Sequence, residues 1–243
     1  MKRITNLLFL VVLAAAICSA ACRGLPGRPG PDSLVVPPSQ IVDFNTLYGQ
    51  NCAGCHGESG KGGPAPPIGD PVFLAIADDD TIRRIASSGV PGTSMPAFAQ
   101  TSGAMLTDKQ IDALVQGIRA WAKPDLVGNA APPSYLAQAP GDATRGVGVY
   151  ATFCAACHGA DGNGGKASSI VNKSYLALVS DQGLRTTVIV GRPELGAPDW
   201  RGDVPGRPMS AQEISDVVAW LAAERQPQSQ PVLSPGPAAG GIR

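Results

Sequence analysis

Two short runs concentrate the reactive side chains of this sequence: NCAGCHG at 51–57 and FCAACHG at 153–159. In each, two cysteines stand three residues apart and a histidine follows the second directly. On a helix, residues i and i+3 are neighbours on one face. Two thiols so placed can add to the two vinyl groups of a porphyrin, and the next residue, an imidazole, then lies under the iron as its proximal ligand. Zinc would want two further ligands at matching spacing for each pair. A disulfide framework gives no reason for the histidine. The pattern predicts two covalently bound haem c groups, one on Cys52 and Cys55 with His56, the other on Cys154 and Cys157 with His158. The chain has 2 histidines in all, so neither iron has a second imidazole to draw on.

The motifs anchor an internal repeat. An offset of 102 residues pairs Cys52 with Cys154, Tyr48 with Tyr150, and Gly57, Gly60, Gly62 and Gly63 with Gly159, Gly162, Gly164 and Gly165. The same offset pairs Ile68 with Ile170, Leu74 with Leu176, Asp79 with Asp181, Arg83 with Arg185 and Gly89 with Gly191. In each copy a first helix runs into the motif, a glycine-rich loop follows, and short helices lie around TIRRIASSG and QGLRTTVIVG. The last helix opens on a cap: Thr107 in copy one, and Ser210 with Glu213 three residues on in copy two. Ile111, Leu114, Val115 and Ile118 recur at helical spacing, as do Ile214, Val217, Val218 and Leu221. TTVIV alone suits a strand, and its counterpart in copy one makes it helix. The expected fold is all-α, with two tandem domains at 41–123 and 141–226, each of three or more short helices around a haem. A Pro-containing linker at 124–140 joins them, and a disordered tail is expected at 227–243.

These features resemble the small bacterial class I cytochromes c, in tandem. The resemblance implies a first and last helix that cross closely, and a methionine ligand, followed by proline, from the loop before the last helix. SGVPGTSMPAF supplies Met95–Pro96 in copy one, with Met105 as the other thioether nearby. It also implies that a proline carbonyl after the glycine loop accepts the proximal histidine Nδ1 proton. Pro66 matches; copy two has Ser168 there. Where helices cross closely, a small residue faces a large one. Gly146 and Trp220 fit that role in copy two, while their counterparts Phe44 and Gly117 exchange the sizes across the crossing. Arg83 and Arg185 are candidates for haem propionates, though a solvated surface place is the stronger expectation for both.

At the same offset GVPGTSMPAF meets GRPELGAPDW, and Met95 falls on Ala197. The loop is kept and the ligand is not. Met209, twelve residues on, is one candidate for the vacant position, although counted back from the last helix it aligns with Leu106, a packing position. Lys166 or Lys173 is another, and an open or water-bound position is the third.

Lys2 and Arg3 precede the apolar run LLFLVVLAAAI and the small residues SAAC, which reads as an export signal over 1–21. Cys18 lies inside it, and Cys22 at its end is a candidate lipid anchor, although Ser19 stands where lipoproteins usually have leucine. The Pro- and Gly-rich stretch 22–40 then forms a tether of about 55 Å at roughly 3 Å per residue. Such a chain works on the periplasmic or other extracytoplasmic face of a membrane. Charge is balanced at 19 basic and 19 acidic residues without a basic stripe, which excludes nucleic acid as a partner.

A haem ligated on both faces exchanges electrons and has no place for substrate. No catalytic residue is singled out. The resemblance implies electron transfer on the outer face of a respiratory membrane, from a bc-type or other quinol-oxidising complex to a terminal oxidase or soluble cytochrome. The alternative is a peroxidase-like enzyme or gas sensor using an open iron at the second haem. With no spare histidine, its base would be Glu194 or Asp199. A structural subunit with a vestigial second haem is a third reading.

Overall fold

The structure is a computed structural model that describes residues 35–128 and 131–225. The export signal, Cys22 and the tail at 227–243 lie outside the described residues. The described residues from Ile41 to Arg225 form one compact unit.

Ten helices carry that unit among the described residues: α1 Phe44–Asn51, α2 Ala53–His56, α3 Pro71–Ile76, α4 Asp79–Ser88, α5 Asp108–Arg119, α6 Ala143–Phe153, α7 Ala155–His158, α8 Lys173–Leu176, α9 Asp181–Val190 and α10 Ala211–Ala223. No strand forms among the described residues, and the TTVIV segment lies inside α9. Every helix except the two motif turns α2 and α7 starts on a residue whose side chain supplies the acceptor its first turn needs. Asp43 accepts from Thr46 N at 2.8 Å and Asp142 from Thr144 N at 2.8 Å. Both final helices carry a complete capping box, Thr107 with Gln110 and Ser210 with Glu213. The sequence had marked only the second.

The close crossing of first and last helix is present in both copies. At Gly117 an added Cβ would stand 2.0 Å from Cδ2 of Phe44, and at Gly146 it would meet Asp216 O at 2.2 Å and Trp220 Cβ at 2.7 Å. The exchange of small and large partners is therefore a real contact, and it draws in a third residue. Trp121, just past α5, packs edge-on against Tyr48 with ring centroids 5.0 Å apart and crowds Gly60. Trp220 packs on Tyr150 with the rings tilted by 34° and centroids 4.3 Å apart, and it crowds Gly162. The two tryptophans come from non-equivalent positions and reach the same place.

The arginine that closes each copy is displaced too. Arg119 binds Asp79 at 2.6 Å and donates to the carbonyls of Leu74 and Ala77. Arg225 binds Asp181 and donates to Leu176 O at 2.9 Å and Val179 O at 2.8 Å. Each guanidinium clasps the corner between the two middle helices of its copy.

The two copies share one continuous core that runs from Leu47 and Leu114 of the first to Tyr150 and Ile214 of the second. Helix α3 packs on α9 across the junction. The segment expected to be a free linker is held to it: Val127 is buried and its carbonyl accepts from Arg201 at 2.8 Å. Arg185, expected at the surface or on a propionate, is instead 2 % exposed. It donates to Ser134 O at 3.0 Å and Tyr135 O at 3.1 Å, and to Ser215 Oγ at 3.2 Å. Arg83 does follow the surface expectation, paired with Asp112 on a half-exposed face.

Candidate haem-binding sites

Each motif sits on a single turn that is stopped immediately after its histidine. Gly57 and Gly159 have φ of 81° and 83°, where any side chain is strained. A Cβ at Gly57 would also stand 1.8 Å from Lys61 O. The chain therefore leaves the helix at once and loops back: Ala65 N donates to Cys55 O at 2.9 Å, and Ala167 N to Cys157 O at 2.8 Å. The hydroxyl of Tyr48 donates to Gly57 O at 2.8 Å, and that of Tyr150 to Gly159 O, which ties the first helix to the glycine after each histidine. The repeat had flagged the tyrosine pair without a role.

This fold-back places a carbonyl under each imidazole. His56 Nδ1 lies 2.9 Å from Pro66 O, and His158 Nδ1 lies 2.7 Å from Ser168 O. A carbonyl only accepts, so Nδ1 carries the proton in both rings and Nε2 is left as the ligating atom. Ser168 thus supplies the same acceptor as Pro66. Burial holds the His56 imidazole below its ordinary pKa, with the Pro66 bond opposing, which keeps the ring neutral as metal ligation requires. His158 is less buried.

All four motif cysteines are free. Burial, aided by the neighbouring Cys55, pushes the Cys52 thiol up to about 11; burial, with Asp203 and Cys157, pushes Cys154 up to about 12. A redox-active dithiol has its attacking thiol lowered, so these pairs do not fit disulfide exchange. Nor do further His, Cys, Asp or Glu side chains gather as a zinc site among the described residues. Two thiols on one turn, a neutral imidazole with Nδ1 already engaged and a loop closed by glycines fit covalent haem.

Met95 lies in the loop before α5, half-buried, with its carbonyl accepting from Val90 N at 3.0 Å. Met105 is 82 % exposed. Ala197 repeats the Met95 bond, its carbonyl accepting from Arg192 N at 2.9 Å. Met209 is 2 % exposed, and its N–H donates to Trp200 O at 2.8 Å, as Leu106 N–H donates to Phe98 O at 2.8 Å. Glu194 is paired with Arg192 at 2.6 Å and Asp199 with Arg201 at 2.5 Å. A carboxylate held by a guanidinium is a poor base, which weighs against peroxide chemistry through either. Arg192 also donates to Gly63 O at 2.6 Å, so the loop around Ala197 is seated on the glycine loop of the first site.

Fold and site together define a c-type cytochrome built of two class I modules in tandem. The family described as cytochrome c oxidase, cbb3-type, subunit III matches residues 40–116 and 141–221, and the chain belongs to it. Its members are electron-transfer proteins carrying covalently bound haem c. A cbb3-type cytochrome c oxidase subunit CcoP of Azospirillum sp. (strain B510) is 32% identical over 140 residues, covering 51% of this chain and 41% of the relative. This chain thus spans about two fifths of that protein's length. A cytochrome bc1 complex cytochrome c subunit of Mycobacterium bovis (strain ATCC BAA-935 / AF2122/97) is 25% identical over 242 residues, covering 96% of this chain and 82% of the relative. A chain of the Kuenenia stuttgartiensis reducing HAO-like protein complex Kustc0457/Kustc0458 aligns with TM-score 0.46 at 18% identity, over 79% of this chain and 100% of that one. No helix among the described residues is long and apolar enough to cross a membrane.

Proposed function

We propose that this chain carries two covalent haems and passes electrons between a bc-type or other quinol-oxidising complex and a terminal oxidase or soluble cytochrome. The observation that carries the reading is the duplicated bond from each motif histidine to a loop carbonyl, His56 to Pro66 and His158 to Ser168. Cys52 and Cys55, and Cys154 and Cys157, hold the two groups by thioether bonds. His56 and His158 bind through Nε2, each oriented by the carbonyl on its other nitrogen. Met95 completes the first site with a soft thioether that favours the ferrous state. Haem supplies a one-electron couple, and the protein fixes its ligation, burial and access. The domains lie at 41–123 and 141–226, with 124–140 between them. The relatives named above, subunits of a cbb3 oxidase and of a bc1 complex, support both kinds of partner.

Placement on the outer membrane face through a lipid on Cys22 belongs to the same reading. Mass spectrometry of the mature membrane-bound protein tests it: two haems and a diacylglyceryl cysteine are expected, and a single haem would overturn the two-haem assignment. Release of the native protein without detergent would sink the anchor. Stopped-flow mixing with a bc-type complex and quinol should reduce the protein within turnover. Failure there, together with failure to be oxidised by a terminal oxidase, would remove the carrier function.

A further inference from the structure

We propose that the iron of the second haem has no protein ligand opposite His158 and binds a small exogenous one. This rests on the two-haem reading above. The ligands that suit such a position are neutral diatomic molecules on ferrous iron and small anions such as cyanide on ferric iron.

The geometry of the loop carries the inference. The bond from Val90 N to Met95 O, 3.0 Å, reappears as Arg192 N to Ala197 O, 2.9 Å. Gly89 and Gly191, with φ of 67° and 70°, begin the two loops in the same left-handed conformation. A Cβ at Gly89 would clash with Pro96 C at 2.6 Å and Ala97 N at 2.6 Å; at Gly191 it would clash with Pro198 C at 2.5 Å and Asp199 N at 2.7 Å. Those are equivalent atoms. The loop starts and closes the same way in both copies, although its tip turns at Gly92 in the first and at Gly196, after a 3-10 turn over Pro193–Leu195, in the second. The residue at the closing position is methionine in one and alanine in the other. A methyl group has no lone pair to give.

The substitutes are placed elsewhere. Met209 takes the packing position of Leu106, fixed by the same backbone bond and buried at 2 % exposure in the shared core. Lys166 is exposed in the loop that brings Ser168 under His158, on the proximal side of the ring, and Lys173 is exposed at the start of α8. Both histidines are already engaged through Nδ1 as proximal ligands. Nor is the loop free to rearrange. Arg192 anchors it to Gly63 O at 2.6 Å, and Arg201 anchors it to Val127 O at 2.8 Å and lies over the Trp200 ring at 4.7 Å.

The test is a carbon monoxide titration of the reduced full-length protein, followed by difference spectroscopy, on wild type, Ala197→Met and Met209→Leu. One carbon monoxide per two haems is expected in wild type and in Met209→Leu, and none in Ala197→Met, where the thioether returns to the place the loop was built around. A Met95→Ala variant should bind two. In redox titration, Ala197→Met should shift the second potential up toward the first. Two haems by mass with no carbon monoxide bound in wild type would overturn the inference and leave the carrier reading standing. Binding that appears only in Met209→Leu would show Met209 to be the ligand and overturn it equally. A mass of one haem would sink the two-haem reading, and the inference with it.

Discussion

The ring of Phe44 fills the space beside Gly117, leaving 2.0 Å for a Cβ that would need about twice that. Gly117→Ala should therefore destabilise the protein by about 1–3 kcal/mol through overpacking, seen as a lowered midpoint in thermal denaturation. Gly117→Trp alone should do worse. Combined with Phe44→Gly, which recreates the sizes at Gly146 and Trp220, it should recover part of the loss and not all of it, because Trp121 already occupies the place beside Tyr48 that Trp220 takes beside Tyr150. Equal stability of the single and double variants would show that the two residues do not share a contact.

Arg185 should prove structural. Its guanidinium is buried on the carbonyls of Ser134 and Tyr135, which tie the segment between the copies to α9. Arg185→Met leaves the Ser134 carbonyl without its donor and the Tyr135 carbonyl with Gln182 Nε2 alone, at a cost of about 1–3 kcal/mol where the Ser134 carbonyl stays buried. Lysine lacks the fork that spans both, so Arg185→Lys should rescue little. Limited proteolysis reads this directly, with cleavage within 131–140 expected in the variants well before wild type.

Acid should loosen the second copy at the crossing of its first and last helices. Asp216 accepts from Arg145 at 2.8 Å, Asp142 N at 2.8 Å and Gln212 at 2.9 Å. The Arg145 bonds, with those from Asp142 N and Gln212, hold its pKa at about 2 against an ordinary 3.8. A carboxylate depressed in the folded state contributes stability that is complete above its unfolded pKa and is lost as pH falls through the folded one. Stability should thus fall between about pH 4 and pH 2. Asp216→Asn should be less stable than wild type at pH 6, and the gap should narrow toward pH 2. A gap of constant size would mean the charge on Asp216 is not what holds the contact.

Removing Arg192 should be felt in the other copy. The side chain donates to Gly63 O and pairs with Glu194, so Arg192→Ala frees a carbonyl of the first glycine loop. Hydrogen exchange at 57–66 should speed up severalfold while exchange in α6 and α10 stays as in wild type. An unchanged rate at 57–66 would show that this contact does not restrain the first site.

The haem motifs, the all-helical repeat, the capping residues and the alignment of Ala197 with Met95 were all legible in the residues. Each is local, or depends on a constant offset. A CxxCH turn needs only one turn of helix, and a Ser-x-x-Glu box only its own first turn. Even the opposed sizes of Phe44 and Gly117 could be read, because a packing constraint between two helices leaves a paired trace at a fixed spacing. The carbonyl of Ser168 was less visible, since a backbone acceptor is independent of the side chain that carries it.

What the tertiary structure alone decided lies where that offset breaks. Trp121, just past α5, and Trp220, inside α10, fill the same space beside Tyr48 and Tyr150, and Arg119 and Arg225 clasp the same corner from another pair of shifted positions. Long side chains reach across a turn, so space can be conserved where position is not. The clustering of both copies around one core, the burial of Arg185 against the connecting segment and the seating of Arg192 on Gly63 arise between residues far apart in the chain. Such contacts are chosen by which surfaces meet once the helices are packed, and a guanidinium that looks like a solvent-facing charge in one dimension becomes a donor to carbonyls that folding would otherwise bury unpaired.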